Sequence, residues 1–220
     1  MLKPLLVVLA LVGLAPSVEA ATAESKAEAR QIFQDVIAFK TSVGLGQVPA
    51  MVDYLTAKFR AAGFPAEDIH VVPHGETAAL VVRYRGTGKG GKPILFMAHM
   101  DVVTAKPEDW ERDPFTLIEE NGYFFGRGTL DIKSEVALLS QTFLRLKRAK
   151  FVPTRDLILA FTGDEESTME TAKLLAGPHR AGAPIDARHP VPGSRTGHDR
   201  ADPVRGEQHL VPRRVVRPLP

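Results

Sequence analysis

The chain has 220 residues, 44% apolar and 25% charged, a length and balance that fit a globular fold with a real hydrophobic core. It contains no cysteine, which excludes disulfides, thiolate nucleophiles and Cys-type zinc sites; any metal must be held by histidine and carboxylates. The formal charge of +2 hides an asymmetry: residues 177–220 carry eight arginines against four acids, so the preceding body is slightly acidic and the basic balance says little about its partners.

The first 20 residues, MLKPLLVVLALVGLAPSVEA, join a basic start at Lys3, an apolar run from about Leu5 to Leu14 and small residues up to Ala20. That is the pattern of a secretory signal cleaved after Ala20. The apolar run falls short of the roughly 20 residues a membrane span needs. The expectation is an exported protein, periplasmic or secreted, free of the membrane after cleavage.

Two amphipathic helices follow. ESKAEARQIFQDVIAFKTS places Ile32, Val36, Ile37 and Phe39 near helical spacing, and VPAMVDYLTAKFRAAGF repeats the pattern through Met51, Tyr54, Leu55 and Phe59. Gly63 reads as a helix stop. IHVVP and AALVVRYRG read as strands, the turn GTGKGGKP follows, and ILFMAHMDVV has buried-strand character. FTLIEENGYFFGRG reads as a hairpin turning at Asn121-Gly122. DIKSEVALLSQTFLRLKRAK is a predicted helix with basic residues in its last turn, where the macrodipole favours them. RDLILAFTG is another buried strand, and STMETAKLLA a helix expected to be capped by Ser167 or Thr168, with Glu170 completing a capping box.

Helices alternating with apolar strands predict an α/β sandwich with its sheet covered on both faces. Beyond about Ala176 the composition changes. Residues 177–220 have no aromatic residue, no sustained apolar period and eight of the chain's 17 prolines. Such a composition is what a GC-rich coding region produces when read out of frame; a disordered basic tail is the alternative. Without lysine or interleaved aromatics it makes a poor nucleic-acid arm, so no nucleic-acid partner is expected.

Three clusters of reactive groups fall at strand ends or adjoining loops, where active residues of α/β folds gather. In AHMD, His99 and Asp101 lie two apart on a strand end and point to the same side; a carboxylate there can fix the tautomer of a ligating histidine. In GRGTLDIKS, glycines allow a tight turn before Asp131, which reads either as a helix N-cap or as a carboxylate bridging two cations. In LILAFTGDEES, Glu165 and Glu166 are adjacent, so their side chains diverge; they form either a solvated acidic loop or a metal ligand beside a general base. Together the clusters supply the nitrogen and oxygen ligands of a two-metal site.

AHMDVV, DPF, GYFFGRGTLDIKS and TGDEES, in that order and over about residues 25–176, resemble the di-zinc hydrolases that include aminoacylase, acetylornithine deacetylase, succinyl-diaminopimelate desuccinylase, carnosinase-like dipeptidases and glutamate carboxypeptidase. The resemblance implies a three-layer α/β sandwich of the zinc-exopeptidase type and hydrolysis of peptide or N-acyl-amino-acid amides. It implies that His99 ligates one zinc and Asp101 orients it, that Asp131 bridges both ions, that Glu166 ligates the second, and that Glu165 is the general base. Co2+ or Mn2+ are the substitutes for zinc that such a site implies.

The family also supplies a further acidic ligand after the Glu-Glu pair, a distant histidine ligand, and a lid or dimerisation domain, none of which is recognisable here. Asp186 and His189 match no family pattern. The expected organisation is therefore a signal at 1–20, an incomplete catalytic domain at 21–176 and an aberrant or disordered tail at 177–220. Each zinc would keep two protein ligands where a catalytic zinc generally has three, so weak metal affinity and little activity are expected. A non-catalytic module awaiting a partner chain is the alternative, and the oligomeric state is open.

Overall fold

The computed structural model describes residues 22–179. The signal expected at 1–20 and nearly all of the tail expected from 177 lie outside the described residues.

Helix α1 (Ala23–Ala38) starts at Thr22, whose side-chain oxygen accepts the Ser25 amide at 3.2 Å, and it buries Ile32, Phe33, Val36 and Ile37 on one face. Helix α2 (Val48–Ala61) carries proline in its first turn, where the missing N–H costs nothing, and buries Met51, Val52, Leu55 and Phe59. Helix α3 (Lys133–Arg148) buries Val136, Ala137, Ser140, Phe143 and Leu144 at helical spacing. Its Arg148 makes a bidentate pair with Glu28 of α1, both contacts 2.7 Å, which ties the two helices side by side. Helix α4 (Glu170–His179) closes the described chain and runs across the position where the composition changes.

The strands are β1 (Ile69–His74), β2 (Thr77–Tyr84), β3 (Ile94–His99), the short hairpin pair β4 (Ile118–Glu120) and β5 (Tyr123–Phe125), and β6 (Leu157–Thr162). The main sheet has the order β1-β2-β6-β3, antiparallel except for the parallel pair of β3 with β6. That pair sets His99 opposite Thr162, so the segments leaving both strands start side by side.

The core lies between one sheet face and α1, α2 and α3. Leu80, Val82, Leu159 and Phe161 are fully buried there against Ile32, Met51, Leu55 and Phe59. Phe143 stands at the centre of a ring cluster, 5.9 Å from Phe96, 6.3 Å from Tyr84 and 6.5 Å from Phe64 between ring centres.

The opposite face departs from the expected double cover. Ala79, Val81 and Ala160 are buried on it, but Leu95 and Met97 of β3 are 54% and 56% exposed. Among the described residues α4 packs against β1 and β2, at the other side of the sheet, and β3 is left as an edge strand. The architecture is thus a mixed α/β sandwich whose third layer is partial.

Truncating Phe143 to alanine removes the ring on which Phe64, Tyr84 and Phe96 converge. The expected loss is about 3–5 kcal/mol of unfolding free energy, read by urea denaturation at constant m-value; a loss below about 1 kcal/mol would show that this cluster does not anchor the core.

Candidate metal centre

The site is assembled at the ends of β3 and β6. His99 ends β3 and is nearly buried, and its ring is held from behind by its own strand: Nδ1 lies 3.0 Å from the Asp101 carbonyl oxygen and 3.5 Å from the Asp101 carboxylate. The donation from Nδ1–H to that carbonyl turns Nε2 outward. There Nε2 lies 3.1 Å from Asp131 Oδ1 and 3.7 Å from Glu165 Oε2. Ligand atoms of His99, Glu165 and Glu166 all lie within 4.8 Å of one another. The structure therefore brings together all five residues singled out in the sequence.

Asp101 has a second task. Its two carboxylate oxygens accept the backbone amides of Glu165 and Glu166, at 3.0 and 2.9 Å. The main-chain carbonyl of Asp101, rather than its carboxylate alone, orients His99. The carboxylate clips the Glu165-Glu166 loop onto the end of β3.

Asp131 is not the cap of α3. The capping position is Ile132, and no side chain caps the helix there. The Asp131 carboxylate is instead two-thirds exposed and turned toward His99. The loop that carries it is set by Gly128, whose φ of +89° suits glycine and whose missing side chain leaves room for the Lys133 stem; an added Cβ would stand 3.0 Å from Lys133 Cγ and Cδ. The Lys133 amide also donates to the Gly128 carbonyl at 2.9 Å.

Asp164, the third acid of the cluster, is the cap that the sequence reading assigned to Ser167 or Thr168. Its buried carboxylate accepts the Glu170 amide at 2.7 Å and the Thr171 amide at 3.1 Å, together with the Thr168 and Thr171 hydroxyls. Burial opposes its charge, but these hydrogen bonds outweigh burial and hold the carboxyl below its usual range. A carboxylate serves this place better than a hydroxyl because it accepts from several donors at once and answers the helix dipole. An acid six residues ahead of the helix lies outside the capping-box pattern, so spacing alone could not find it.

The electrostatics of the cluster favour a cation. Burial works against a charged His99, yet hydrogen bonds and charge from Asp101, with a further bond from Asp131, raise the ring to about 9. Burial, then repulsion from Asp131, Glu165 and Asp101, raises Glu166, with His99 opposing. Burial lowers the Lys133 ammonium to about 7, against the pull of Asp101. A cluster of carboxylates around one raised glutamate, facing an imidazole whose outer nitrogen is already oriented, is a donor set that a divalent ion such as zinc fits. The same set suits hard-to-borderline divalent ions generally, since every donor is nitrogen or oxygen.

Residues 95–202 match the family described as Peptidase family M20/M25/M40. The chain is 42% identical over 92 residues to the human N-fatty-acyl-amino acid synthase/hydrolase PM20D1, an alignment covering 42% of this chain and 18% of that protein. It is 38% identical over 107 residues to acetylornithine deacetylase of Arabidopsis thaliana, covering 48% and 24%. Among solved structures, the dipeptidase Dug1p of Saccharomyces cerevisiae superposes with a TM-score of 0.60 at 21% identity, covering 70% of this chain and 36% of that one, a likeness of fold. The chain thus spans well under half the length of each of these proteins.

His99 carries a pH prediction. With its folded value raised from 6.5 to about 9, the stability it contributes is fully present below pH 6.5 and is lost as pH rises through about 9. A bound metal must displace the Nε2 proton, so zinc affinity is expected to rise with pH over that window. NMR titration of the imidazole in metal-free protein checks this; a midpoint at or below 6.5 would contradict the arrangement.

Proposed function

We propose that this chain, which carries part of a Peptidase M20 family domain, is a zinc-dependent hydrolase of amide bonds that acts on peptides or N-acyl amino acids. The observation that carries the proposal is the convergence of His99 Nε2, Asp131, Glu165 and Glu166 at the joined ends of β3 and β6. His99, Asp131 and Glu166 would hold the ions, Asp131 between them. When bound, zinc supplies Lewis acidity to the scissile carbonyl and to the attacking water.

The chain's own residues do the proton work. Glu165 removes a proton from water as its oxygen bonds the carbonyl carbon, then gives that proton to the amine nitrogen as the C–N bond breaks. The main-chain carbonyl of Asp101 holds Nδ1–H so that Nε2 faces the ions, while the Asp101 carboxylate fixes the backbone beneath both glutamates. The relatives' names support both substrate kinds: one acts on N-fatty-acyl amino acids, another on acetylornithine, and the solved structure is a dipeptidase.

The same ligand set argues that this chain binds zinc weakly. Among the described residues, His99 and Asp131 would serve one ion and Asp131 and Glu166 the other, two protein ligands each against the usual three. Turnover by this chain is accordingly slow. A second reading, a non-catalytic module completed by a partner chain, draws support from the edge of β3, unpaired among the described residues and with Leu95 and Met97 exposed. The signal-like residues 1–20 support export to the periplasm or beyond, and no helix among the described residues is long and apolar enough to cross a membrane.

Zinc titration followed by thermal unfolding and by hydrolysis of a dipeptide and an N-acetyl amino acid tests the proposal. Zinc is expected to raise Tm, and Glu165→Gln to lower hydrolysis by roughly 10²–10⁴-fold while that rise persists. His99→Ala is expected to remove the zinc-linked rise. No rise in wild-type Tm at any zinc concentration would sink the metal reading, and tight binding of two ions with rapid hydrolysis would sink the weak-site part alone.

A further inference from the structure

Lys133 is a fully buried lysine, enclosed as completely as Phe59 or Phe161. A buried ammonium costs several kcal/mol unless its surroundings answer it, so its place calls for a reason. Two contacts and one nearby charge surround it. Its Nζ donates to the Phe39 carbonyl at 2.7 Å, at the end of α1. Its stem fills the space left by Gly128 in the loop that carries Asp131. The carboxylate whose charge acts on it is Asp101, the group that holds the Glu165 and Glu166 amides.

The stem and the Lys133 amide brace the loop that carries Asp131, and the Nζ bond ties that loop to the end of α1. The charge of Asp101, which holds the glutamate loop, favours the ammonium from farther off. We propose that Lys133 is a positioning residue for the metal centre: one buried lysine whose stem, amide and terminal nitrogen fix the Asp131 loop against the end of α1. It touches neither substrate nor ion. This inference rests on the metal reading above.

Two effects of removing it oppose each other, which makes the test decisive. Charge alone predicts that deleting a cation near a cation site strengthens metal binding. Positioning predicts the reverse, because groups that orient metal ligands from behind typically change affinity by roughly 10–100-fold. Stability separates the positioning role from a merely structural one. Methionine keeps the apolar stem against Gly128 and removes the cost of burying a charge, so metal-free stability should hold or rise.

The experiment is zinc titration of full-length wild type, Lys133→Met and Lys133→Gln, with metal-free Tm recorded for each. The expected result is an unchanged or higher metal-free Tm for Lys133→Met, with zinc affinity reduced at least about tenfold. Lys133→Gln, also without the ammonium and its bond to the Phe39 carbonyl, is expected to lose affinity too, and keeps the test open where the methionine variant does not fold. Zinc binding at or above the wild-type level in either folded variant overturns the inference alone. A wild-type chain with no zinc-linked stabilisation overturns the metal reading and this inference with it.

Discussion

The parallel pairing of β3 with β6 is the constraint from which the site follows. Because His99 stands opposite Thr162, Met100 and Gly163 leave the sheet together, and the Met100 amide donates to the Thr162 carbonyl at 2.8 Å just beyond the last paired residues. Two segments far apart in sequence then run side by side for several residues. The Asp101 carboxylate can reach the Glu165 and Glu166 amides only because of that register, and the glutamates can meet the imidazole only because those amides are held. A one-residue slip would turn every β3 side chain to the other face and dissolve the constellation.

Gathering carboxylates at one point is unfavourable in itself, and the structure spends backbone amides to hold them. Asp101 and Asp164 are buried and saturated with donors, so their charges are answered locally by the amides and hydroxyls around them. Asp131 and Glu165 stay largely exposed, where water screens them. The acids therefore fall into a buried framework pair and an outward-facing set. Only the second is available to an ion, and the raised values of His99 and Glu166 record the tension that remains.

The two faces of the sheet are packed unequally among the described residues. One face is packed by α1, α2 and α3 into a core dense with aromatic contacts, while β3 presents Leu95 and Met97 at an edge unpaired among the described residues. Proteins similar to this chain are more than twice as long as the aligned part. Within β3 itself, Ile94–His99, there is no proline or lysine to discourage further pairing. That is the physical basis for keeping the partner-completed reading alongside the enzymatic one.

Much of the molecule was legible in the sequence because its signals are local. The 3.6-residue spacing of Ile32, Val36 and Ile37 and of Met51, Leu55 and Phe59, the apolar runs of β3 and β6 and the Asn121-Gly122 turn each report a neighbour-to-neighbour preference. The adjacent pair Glu165-Glu166 announced chemistry, whereas Asp164 beside it proved to serve stability as the cap of α4. What the tertiary structure decided are matters of pairing and burial between distant segments: that Asp164 caps α4, that Asp131 leaves the helix end to Ile132, that Asp101 holds two amides rather than the imidazole alone, and that a lysine lies wholly inside. A carboxylate looks the same in sequence whether it caps, clips or binds metal. Its role is set by the donors and charges that folding brings within about 3 Å, and that distance is fixed only when the strands pair.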